Sequence, residues 1–520
     1  MAASWLKDAV FYEVYPQSFK DSNGDGIGDL QGIIQKLDYI RSLGCNALWL
    51  NPCFDSPFKD GGYDVRDYKK VAPRYGTNDD LKALFEAAHA QGIKVLLDLV
   101  PGHTSEEHAW FQASCREEKE LYDRYIWTDN AFAGGDGMPF IGGEHPRNAT
   151  YIINFFKCQP ALNYGYRDRR TSWQQSIHAP GPMATREAMK DIMRFWLDMG
   201  CDGFRVDMAD SLVKNDDGVK TATMEVWRDM AGTIHAEYPE AALVSEWNHP
   251  DQALRCGFDM DFYLQWFGNG YSSLLRDYER NGKGEVVTAD NSYFKADSSR
   301  DMSRFLEDYL PQYEASKDAG LWCFITCNHD TARVAPMLTQ TERRLAFAFL
   351  FTMPGAPFLY YGDEIGMRYR WLPSKEGGFA RTGSRTPMQW DSSKNMGFSD
   401  GAADALYLPV DPAADAPTVE AQEKDPNSFL NHVRGLIALR HAHEDLQNYS
   451  PFTVFFTEKG SRLFAYKRGK LLLAVNPGVN SAELTLDGKY TPVYTIGKPS
   501  LDAEKLTMPA QSFAVLKPVE

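Results

Sequence analysis

The chain has 520 residues, of which 43% are hydrophobic, and its formal net charge at pH 7 is −16. This length exceeds what one hydrophobic core supports, so we expect at least two domains. The acidic balance argues against nucleic acids and anionic membrane surfaces as partners, because both are bound through basic faces.

The N-terminal segment and the cysteines are typical of an intracellular protein. Residues 1–19 lack the basic flank and the long apolar core of a secretion signal. No run reaches the roughly 18 consecutive apolar residues of a membrane span. The eight cysteines are spread widely, which suits reduced core thiols better than a disulfide framework. We expect a cytoplasmic protein without a membrane partner, and the oligomeric state stays open.

Short apolar runs rich in β-branched and aromatic residues alternate with helical patterns, which predicts repeated βα units. Eight runs are predicted to be strands: 9–16, 47–52, 95–100, 203–208, 242–247, 258–262, 324–328 and 357–361. Helical patterns between them, such as 78–91 and 185–199, complete the prediction of an α/β fold, a (β/α)8 TIM barrel.

Two regions fall outside the barrel pattern. After the third predicted strand, residues 104–172 are rich in Gly, Asn, aromatic and charged residues, which predicts a small inserted domain. From 441 to 520, short alternating strands with Gly-containing turns predict a C-terminal antiparallel β-sandwich. The barrel then comprises residues 1–103 and 173–440.

Parallel barrels place their working residues at the carboxyl ends of the strands. Six ionisable residues occupy those ends: His103, Arg205, Asp207, Glu246, His329 and Asp330. Arg205 and Asp207 lie two positions apart and share one strand face, so we expect Arg205 to keep Asp207 ionised by lowering its pKa. An ionised carboxylate that faces a protonated one across a scissile bond is the arrangement that cleaves glycosides with retention.

Four motifs in this order resemble glycoside hydrolase family 13, the α-amylase family: DLVPGH (98–103), GFRVDMAD (203–210), SEWN (245–248) and CNHD (327–330). The resemblance covers nearly the whole chain. It implies that Asp207 is the nucleophile of a covalent β-glycosyl-enzyme and that Glu246 is the general acid and then the general base. It also implies that Asp330 stabilises an oxocarbenium-like transition state.

The same resemblance implies a set of substrate-binding residues: Tyr63, Asp64, His103, Arg205, His329 and Arg333. Tyr63 and Asp64 belong to GGYDVRDY (61–68), and the family pattern makes them a stacking platform and a hydroxyl acceptor. Arg333, three residues after Asp330, is expected to pair with the same carboxylate cluster.

The stretch DSNGDGIGD (21–29) offers oxygen atoms at alternate residues, the spacing that wraps a hard cation. The predicted ligands are Asp21, Asn23, Asp25, the backbone carbonyl of Ile27, and Asp29. An EF-hand carries Glu at the twelfth loop position, where this chain has Gly32. The loop resembles the calcium or magnesium site of oligo-1,6-glucosidases, so we expect a structural Ca²⁺ ion, with Mg²⁺ or an ion-free acidic turn as alternatives.

Three further segments resemble oligo-1,6-glucosidases, α-glucosidases and trehalose synthases: QPALNY (159–164), PGAPFLYYGDEIGM (354–367) and RTGSRTPMQWD (381–391). We therefore predict a retaining hydrolase of short α-linked gluco-oligosaccharides that forms a covalent glycosyl-enzyme. The alternatives are a transglycosylase or isomerase such as a trehalose synthase, an α-amylase, and a catalytically silent binding subunit. Linkage preference, substrate length and acceptor choice stay open.

Overall fold

The computed structural model describes residues 3–266, 268–281, 285–376 and 381–519. The described residues form one eight-stranded parallel sheet: Phe11–Val14, Ala47–Leu50, Lys94–Leu99, Gly203–Val206, Ala242–Ser245, Met260–Tyr263, Leu321–Phe324 and Phe358–Tyr360. We number these barrel strands 1 to 8 in chain order. Strands 1 to 7 pair in sequence order, and strand 8 pairs with strand 1. A parallel bridge between Ile325 and Phe358 closes the ring, which confirms the predicted barrel.

The barrel strands are short and buried on both faces. Every residue in them except Lys94 is buried, as expected for parallel strands between a packed interior and a layer of helices. Barrel strand 7 lies at Leu321–Phe324, earlier than the predicted 324–328. Residues 326–328 lie beyond the sheet and lead into the loop that carries His329 and Asp330.

Helices cover the outside of the barrel: Leu30–Gln35, Leu37–Leu43, Asn78–Ala90, Pro180–Met199, Thr221–Glu237, Pro250–Ala253, Ser272–Leu275, Ser303–Ser316, Gln340–Thr352, Val419–Glu423 and Phe429–Ala442. Helix Asn78–Ala90 begins with a capping box in which the Thr77 hydroxyl accepts from the backbone N–H of Asp80. None of the described helices has both the length and the apolar character needed to cross a membrane.

The segment inserted between barrel strand 3 and helix Pro180–Met199 has little regular structure. It contains helix Ala109–Cys115 and two antiparallel strands, Phe140–Gly142 and Thr150–Ile152. Its core is aromatic: Phe111, Tyr125 and Trp127 are buried against one another. A bridge between His103 and Ala161 joins the segment to the end of barrel strand 3, so the segment stands beside the mouth of the barrel.

The C-terminal region consists of two antiparallel sheets. The larger has five strands: Phe452–Phe456, Phe464–Arg468, Leu471–Asn476, Tyr490–Ile496 and Ser512–Pro518. The smaller has three strands: Ala482–Thr485, Ser500–Asp502 and Lys505–Met508. Leu472 of the larger sheet and Leu484 and Leu506 of the smaller sheet belong to one apolar cluster. The predicted β-sandwich is therefore confirmed.

Candidate active site

A cavity of about 550 Å³ opens at the carboxyl ends of the barrel strands, within the range typical of small-molecule sites. Its charged and ionisable lining residues are Asp60, His103, Asp207, Glu246, Asp330 and Arg381. Its aromatic and apolar lining residues are Tyr63, Phe155, Phe156, Met208 and Trp266. The structure thus brings the three predicted catalytic carboxylates to one cavity.

The guanidinium of Arg205 binds three carboxylates beneath this cavity. Its Nη1 atom lies 3.0 Å from Oδ1 of Asp98 and 3.0 Å from Oδ1 of Asp207. Its Nη2 atom lies 2.7 Å from Oε2 of Glu246. Arg205 is only 1% exposed and packs beside the ring of Trp49. The charge that the sequence places beside Asp207 is therefore shared with two further acids, one of which, Asp98, sequence reasoning missed.

This sharing decides how Asp207 ionises. Burial raises the pKa of Asp207, the nearby Glu246 raises it further, and Arg205 opposes both without reversing the direction. Arg205 lowers the Asp207 pKa as expected, but the net shift is upward, so the expectation that Arg205 keeps Asp207 ionised is not met. One cation does not compensate three buried carboxylates. The raised pKa means that Asp207 takes up a proton more readily than an exposed Asp does. One protonated and one ionised carboxyl is the state that retaining glycoside cleavage requires.

The turn after barrel strand 4 fixes the position of Glu246. Met208 adopts a left-handed conformation, with φ at 41°, which is unfavourable for a residue with a side chain. In this conformation its backbone N–H donates to Oε2 of Glu246 at 3.1 Å. The residue directly after the candidate nucleophile therefore holds the candidate acid by its backbone, while its side chain lines the cavity.

Asp330 differs from Asp207 in its charged neighbours, because three cations surround this one carboxylate. Its Oδ1 atom lies 2.8 Å from Nη2 of Arg385 and 3.2 Å from Nη1 of Arg381. Its Oδ2 atom lies 3.3 Å from Nε2 of His329. Burial raises the pKa of Asp330, but the three positive neighbours outweigh burial and hold it well below its usual value. Asp330 is therefore an anion throughout the neutral pH range.

His329 is buried and does not line the cavity, but it contacts two lining residues, Tyr63 and Asp330, and is held there as a cation. Its ring stacks between the rings of Tyr15 and Tyr63, at centroid distances of 6.2 and 5.3 Å. Its Nδ1 atom lies 3.0 Å from Oε1 of Glu13, and its Nε2 atom lies 2.7 Å from the Tyr63 hydroxyl. Burial lowers the pKa of His329, but the carboxylates of Asp330 and Glu13 raise it to about 9. The ring is therefore an imidazolium at neutral pH.

His103 is neutral, whereas His329 is charged. Its Nε2 atom lies 3.1 Å from the backbone carbonyl of Tyr63, and its Nδ1 atom lies 3.2 Å from Nδ2 of Asn154. Burial lowers the pKa of His103 to about 3. A neutral ring that donates from Nε2 and accepts at Nδ1 satisfies both contacts. His103 lines the cavity as predicted, whereas its role in substrate binding stays a prediction.

Asp64 does not line the cavity, so its predicted role as a hydroxyl acceptor is corrected. The side chain is buried, and its carboxylate accepts from the backbone N–H of Lys59 at 2.9 Å and of Asp60 at 3.0 Å. It therefore closes the turn that leads to Tyr63. The acid that lines the cavity is Asp60, whose carboxylate binds the guanidinium of Arg381. Acids flank the GGY sequence on both sides, and the pattern alone did not distinguish them.

Arg333 does not pair with the carboxylate cluster, so this expectation is wrong. Its Nη1 atom lies 2.8 Å from Oδ1 of Asp363 and 2.7 Å from the carbonyl of Tyr361, and the side chain is wholly buried. The arginines that bind Asp330 are Arg381 and Arg385 instead. Both belong to RTGSRTPMQWD, a segment that sequence analysis used only to distinguish subgroups of the family.

The loop 21–29 is organised by hydrogen bonds between its own side chains and backbone. Three of them repeat at alternate residues: Asn23 N–H to Asp21, Asp25 N–H to Asn23, and Ile27 N–H to Asp25. Asp29 caps the helix Leu30–Gln35. Within the described ranges, no three His, Cys, Asp or Glu side chains cluster closely enough to hold a metal ion. A cation in this loop would therefore also need the Asn23 amide and the Ile27 carbonyl.

The chain is similar to known proteins over most of its length. Residues 13–449 match the sequence profile described as the alpha amylase catalytic domain. The trehalose synthase/amylase of Mycolicibacterium smegmatis is 35% identical, over 85% of this chain and 77% of that protein. The oligo-1,6-glucosidase of Heyndrickxia coagulans is 31% identical, over 92% of this chain and 93% of that protein. An isomaltulose synthase mutant from Erwinia rhapontici NX5, solved with D-glucose, has a TM-score of 0.80 at 26% identity, covering 99% of each chain.

Proposed function

Because this chain belongs to the α-amylase family, glycoside hydrolase family 13, we propose that it cleaves the terminal α-linked glucosyl unit of short oligosaccharides with retention. The observation that carries the proposal is the carboxyl pair of Asp207 and Glu246, which one guanidinium holds beside the cavity. The pair supplies the nucleophile and the proton donor that two successive displacements require.

In the first displacement, a carboxylate oxygen of Asp207 bonds to the anomeric carbon and the glycosidic bond breaks. Glu246 gives its proton to the departing oxygen, so the leaving sugar departs as a neutral alcohol. In the second displacement, Glu246 takes a proton from water, the water oxygen bonds to the anomeric carbon, and Asp207 is released. Two inversions give net retention, so the glucose product is the α-anomer.

The preference for a terminal glucosyl unit is supported by one wall of the cavity. Asp60 binds Arg381, Arg381 binds Asp330, and all three side chains line the cavity. Such a wall offers donors and acceptors to the hydroxyls of a chain-terminal sugar and obstructs passage of a longer chain beyond it. A polymer cleaved at internal bonds, the substrate of an α-amylase, fits this arrangement less well.

We assign the leaving sugar to the apolar part of the cavity lining. This part consists of Phe155 and Phe156 of the inserted segment, Trp266 and Met208. Aromatic rings pack well against the apolar faces of sugars while leaving the hydroxyls free to hydrogen bond. Sequence analysis did not single out these residues, since the loop that bears the two phenylalanines has no periodic pattern.

A second candidate keeps the first displacement and changes the acceptor. If the leaving sugar stays in the cavity and attacks the glycosyl-enzyme through another hydroxyl, the reaction isomerises a disaccharide instead of hydrolysing it. The similarity to a trehalose synthase/amylase and to an isomaltulose synthase favours this candidate. Hydrolysis and isomerisation differ only in whether water or the retained sugar reaches the anomeric carbon first.

Product analysis tests both candidates. The purified protein is incubated with maltose, isomaltose, maltotriose, trehalose, sucrose and soluble starch, and products and anomers are followed by NMR. We expect α-glucose from the short substrates, little attack on starch and no reaction with Asp207→Asn. Conversion of one disaccharide into another would favour the isomerase, and β-glucose as the first product would overturn the proposal.

We further propose that the loop 21–29 binds a structural Ca²⁺ ion. The proposal is supported by its donor set, which consists of oxygen atoms, the ligands that Ca²⁺ prefers. An ion that binds only the folded protein, at about 100 times its dissociation constant, adds about 2.7 kcal/mol to stability. We expect Ca²⁺ to raise the melting temperature of the chelator-treated protein, and Asp25→Asn to reduce the rise. Equal melting temperatures with Ca²⁺ and with chelator would overturn this proposal, and a larger rise with Mg²⁺ would reassign the ion.

A further inference from the structure

We propose that Glu13, which takes no part in the steps above, is a positioning residue that keeps His329 charged and aimed at Asp330 and Tyr63. The inference rests on the proposed glycoside chemistry. Glu13 lies on barrel strand 1 and is wholly buried. Because strand side chains alternate, Glu13 points into the barrel while its neighbour Tyr12 points outward. Glu13 is not among the residues that line the cavity, so it acts through His329.

Glu13 contacts the Nδ1 edge of the His329 ring and the side chain of Asn51. Oε1 of Glu13 lies 3.0 Å from Nδ1 of His329 and accepts from Nδ2 of Asn51 at 3.1 Å. Oε2 is buried and has no hydrogen-bond partner among the described residues. A buried carboxylate with one unsatisfied oxygen is costly, and an amide would be less so. The stability of the fold therefore does not explain why residue 13 carries a negative charge. An electrostatic effect of that charge on the His329 ring does.

The opposite nitrogen of the ring faces the cavity wall. Nε2 of His329 lies 2.7 Å from the Tyr63 hydroxyl and 3.3 Å from Oδ2 of Asp330. Carboxylates at both ring nitrogens favour a proton on each, which is the imidazolium form. Glu13 therefore anchors one N–H, and the other N–H is directed at the carboxylate assigned to the transition state.

Five other ionisable groups interact electrostatically with Glu13 or His329: Asp98, Arg205, Cys327, Asp330 and Tyr360. Burial raises the pKa of Glu13, and His329 and Arg205 oppose that rise. Burial raises the pKa of the Cys327 thiol and of the Tyr360 phenol, so both stay neutral. The charge of His329 is thus set by Asp330, Glu13 and its own burial. Two arginines lie nearby: Arg205 lowers the pKa of Glu13, and Nε of Arg385 donates to the backbone carbonyl of His329 at 3.0 Å.

The pH dependence follows from the raised pKa of His329, about 9. The charged form is fully present at low pH and is lost as the pH rises through that value. Glu13→Gln keeps a hydrogen-bonding oxygen and removes the charge, so the imidazolium loses its proton at lower pH. We expect the alkaline limb of kcat/KM to move down by about one pH unit or more. Activity near pH 6 should stay close to that of the unsubstituted protein, because His329 is charged there in both.

The substrate for this test is α-glucosyl fluoride, since fluoride departs without a proton and ionisation of Glu246 as general acid no longer limits the first step. The matched control is Glu364→Gln. Glu364 is another wholly buried acid, bound by the hydroxyls of Tyr12 and Tyr39, with no contact to His329. We expect the control to leave the alkaline limb in place. An equal shift in both variants, or a uniform loss at every pH in Glu13→Gln, would overturn the inference.

A measurement without turnover separates this inference from the proposed function. The imidazole resonances of the unsubstituted protein are followed against pH by NMR, with His329→Asn identifying the signal. We expect His329 to titrate near pH 9 and to titrate lower in Glu13→Gln. Titration near the ordinary histidine value in the unsubstituted protein would overturn the inference, even if glucose is released. Absence of any glucosyl release together with the expected titration would instead contradict only the proposed function.

Discussion

Asp207 and Asp330 lie in one cavity and are the same residue type, yet their surroundings shift their ionisation in opposite directions. Asp207 shares one guanidinium with Asp98 and Glu246, and burial with Glu246 raises its pKa. Asp330 has cations on both oxygens, and its pKa is lowered. The ratio of charges around a buried carboxylate, and not the residue type, therefore decides its protonation.

The two environments suit different tasks. In a double displacement one carboxyl of the pair gives a proton to the leaving oxygen and regains one from water, while the other forms and breaks the bond to the sugar. A carboxylate rich in positive neighbours stays anionic and can bind hydroxyls or a developing positive charge without taking the proton.

Removal of the nucleophile should have the largest effect. We expect Asp207→Asn to lower kcat/KM for glucosyl release by about 10⁴-fold or more, since an amide cannot form the covalent intermediate. Steady-state kinetics with maltose or isomaltose measures this loss. The control is Asp191→Asn, an exposed acid on helix Pro180–Met199 that should leave the rate unchanged. Activity of Asp207→Asn within tenfold of the unsubstituted protein would contradict the assignment.

Removal of the shared cation should mainly affect stability. Arg205→Met leaves three buried carboxylates without their common partner, and breaking a buried pair costs about 3–5 kcal/mol. The urea midpoint at neutral pH measures the loss in the free energy of unfolding. Addition of Asp98→Asn should recover part of it, because one of the orphaned charges is then removed. No recovery in the double variant would show that Arg205 acts by packing alone.

The cavity wall should control substrate binding. We expect Asp60→Asn and Arg381→Met each to lower kcat/KM for short α-glucosides by about 10²-fold, because each removes the ion pair between Asp60 and Arg381 from the cavity wall. The double variant should lose little more than Arg381→Met alone, since Arg381→Met already removes the pair with Asp60 together with the pair with Asp330. Additive losses would show that the two residues act separately.

The opposite pKa shifts should give opposite stability changes at neutral pH. Asp207→Asn should stabilise the fold by about 1–2 kcal/mol, because it removes an unfavourable buried charge. Asp330→Asn should destabilise it by about 1 kcal/mol, a modest effect because its carboxylate is 39% exposed and partly screened. Urea denaturation of the three proteins measures both changes.

The pH dependence of these two changes has a definite sign. The contribution of Asp330, whose pKa is lowered, is present above the ordinary Asp pKa and is lost as the pH falls through the folded-state value. The cost of Asp207, whose pKa is raised, appears as the pH rises above the ordinary Asp pKa. Both variants should therefore approach the unsubstituted protein in acid. Changes of the same sign for the two variants at neutral pH would contradict the comparison.

Much of this architecture could be predicted from the sequence, because strand runs and strand-end motifs are local patterns. The eight barrel strands and the β-sandwich are confirmed, and Asp207, Glu246 and Asp330 meet in one cavity. The partners of those acids could not be assigned in this way. Arg381 and Arg385 come from the irregular segment after barrel strand 8, where no periodicity indicates which side chain turns inward. The sequence prediction named Asp64 instead of Asp60 for the same reason, since the local pattern does not show which of the two side chains turns towards the cavity.

The proposed mechanism requires a covalent bond between Asp207 and the sugar, and this intermediate can be trapped. A 5-fluoro-α-glucosyl fluoride slows both displacements, and its good leaving group keeps the first faster than the second. Intact mass and peptide mapping of the treated protein then locate the sugar. We expect one glycosyl group on Asp207, in the peptide containing residues 203–210. In Glu246→Gln this group should form far more slowly from substrates whose leaving group needs a proton, and at a similar rate from the fluoride. A sugar attached to Asp330, or turnover with a β-anomeric product and no attached sugar, would contradict the account.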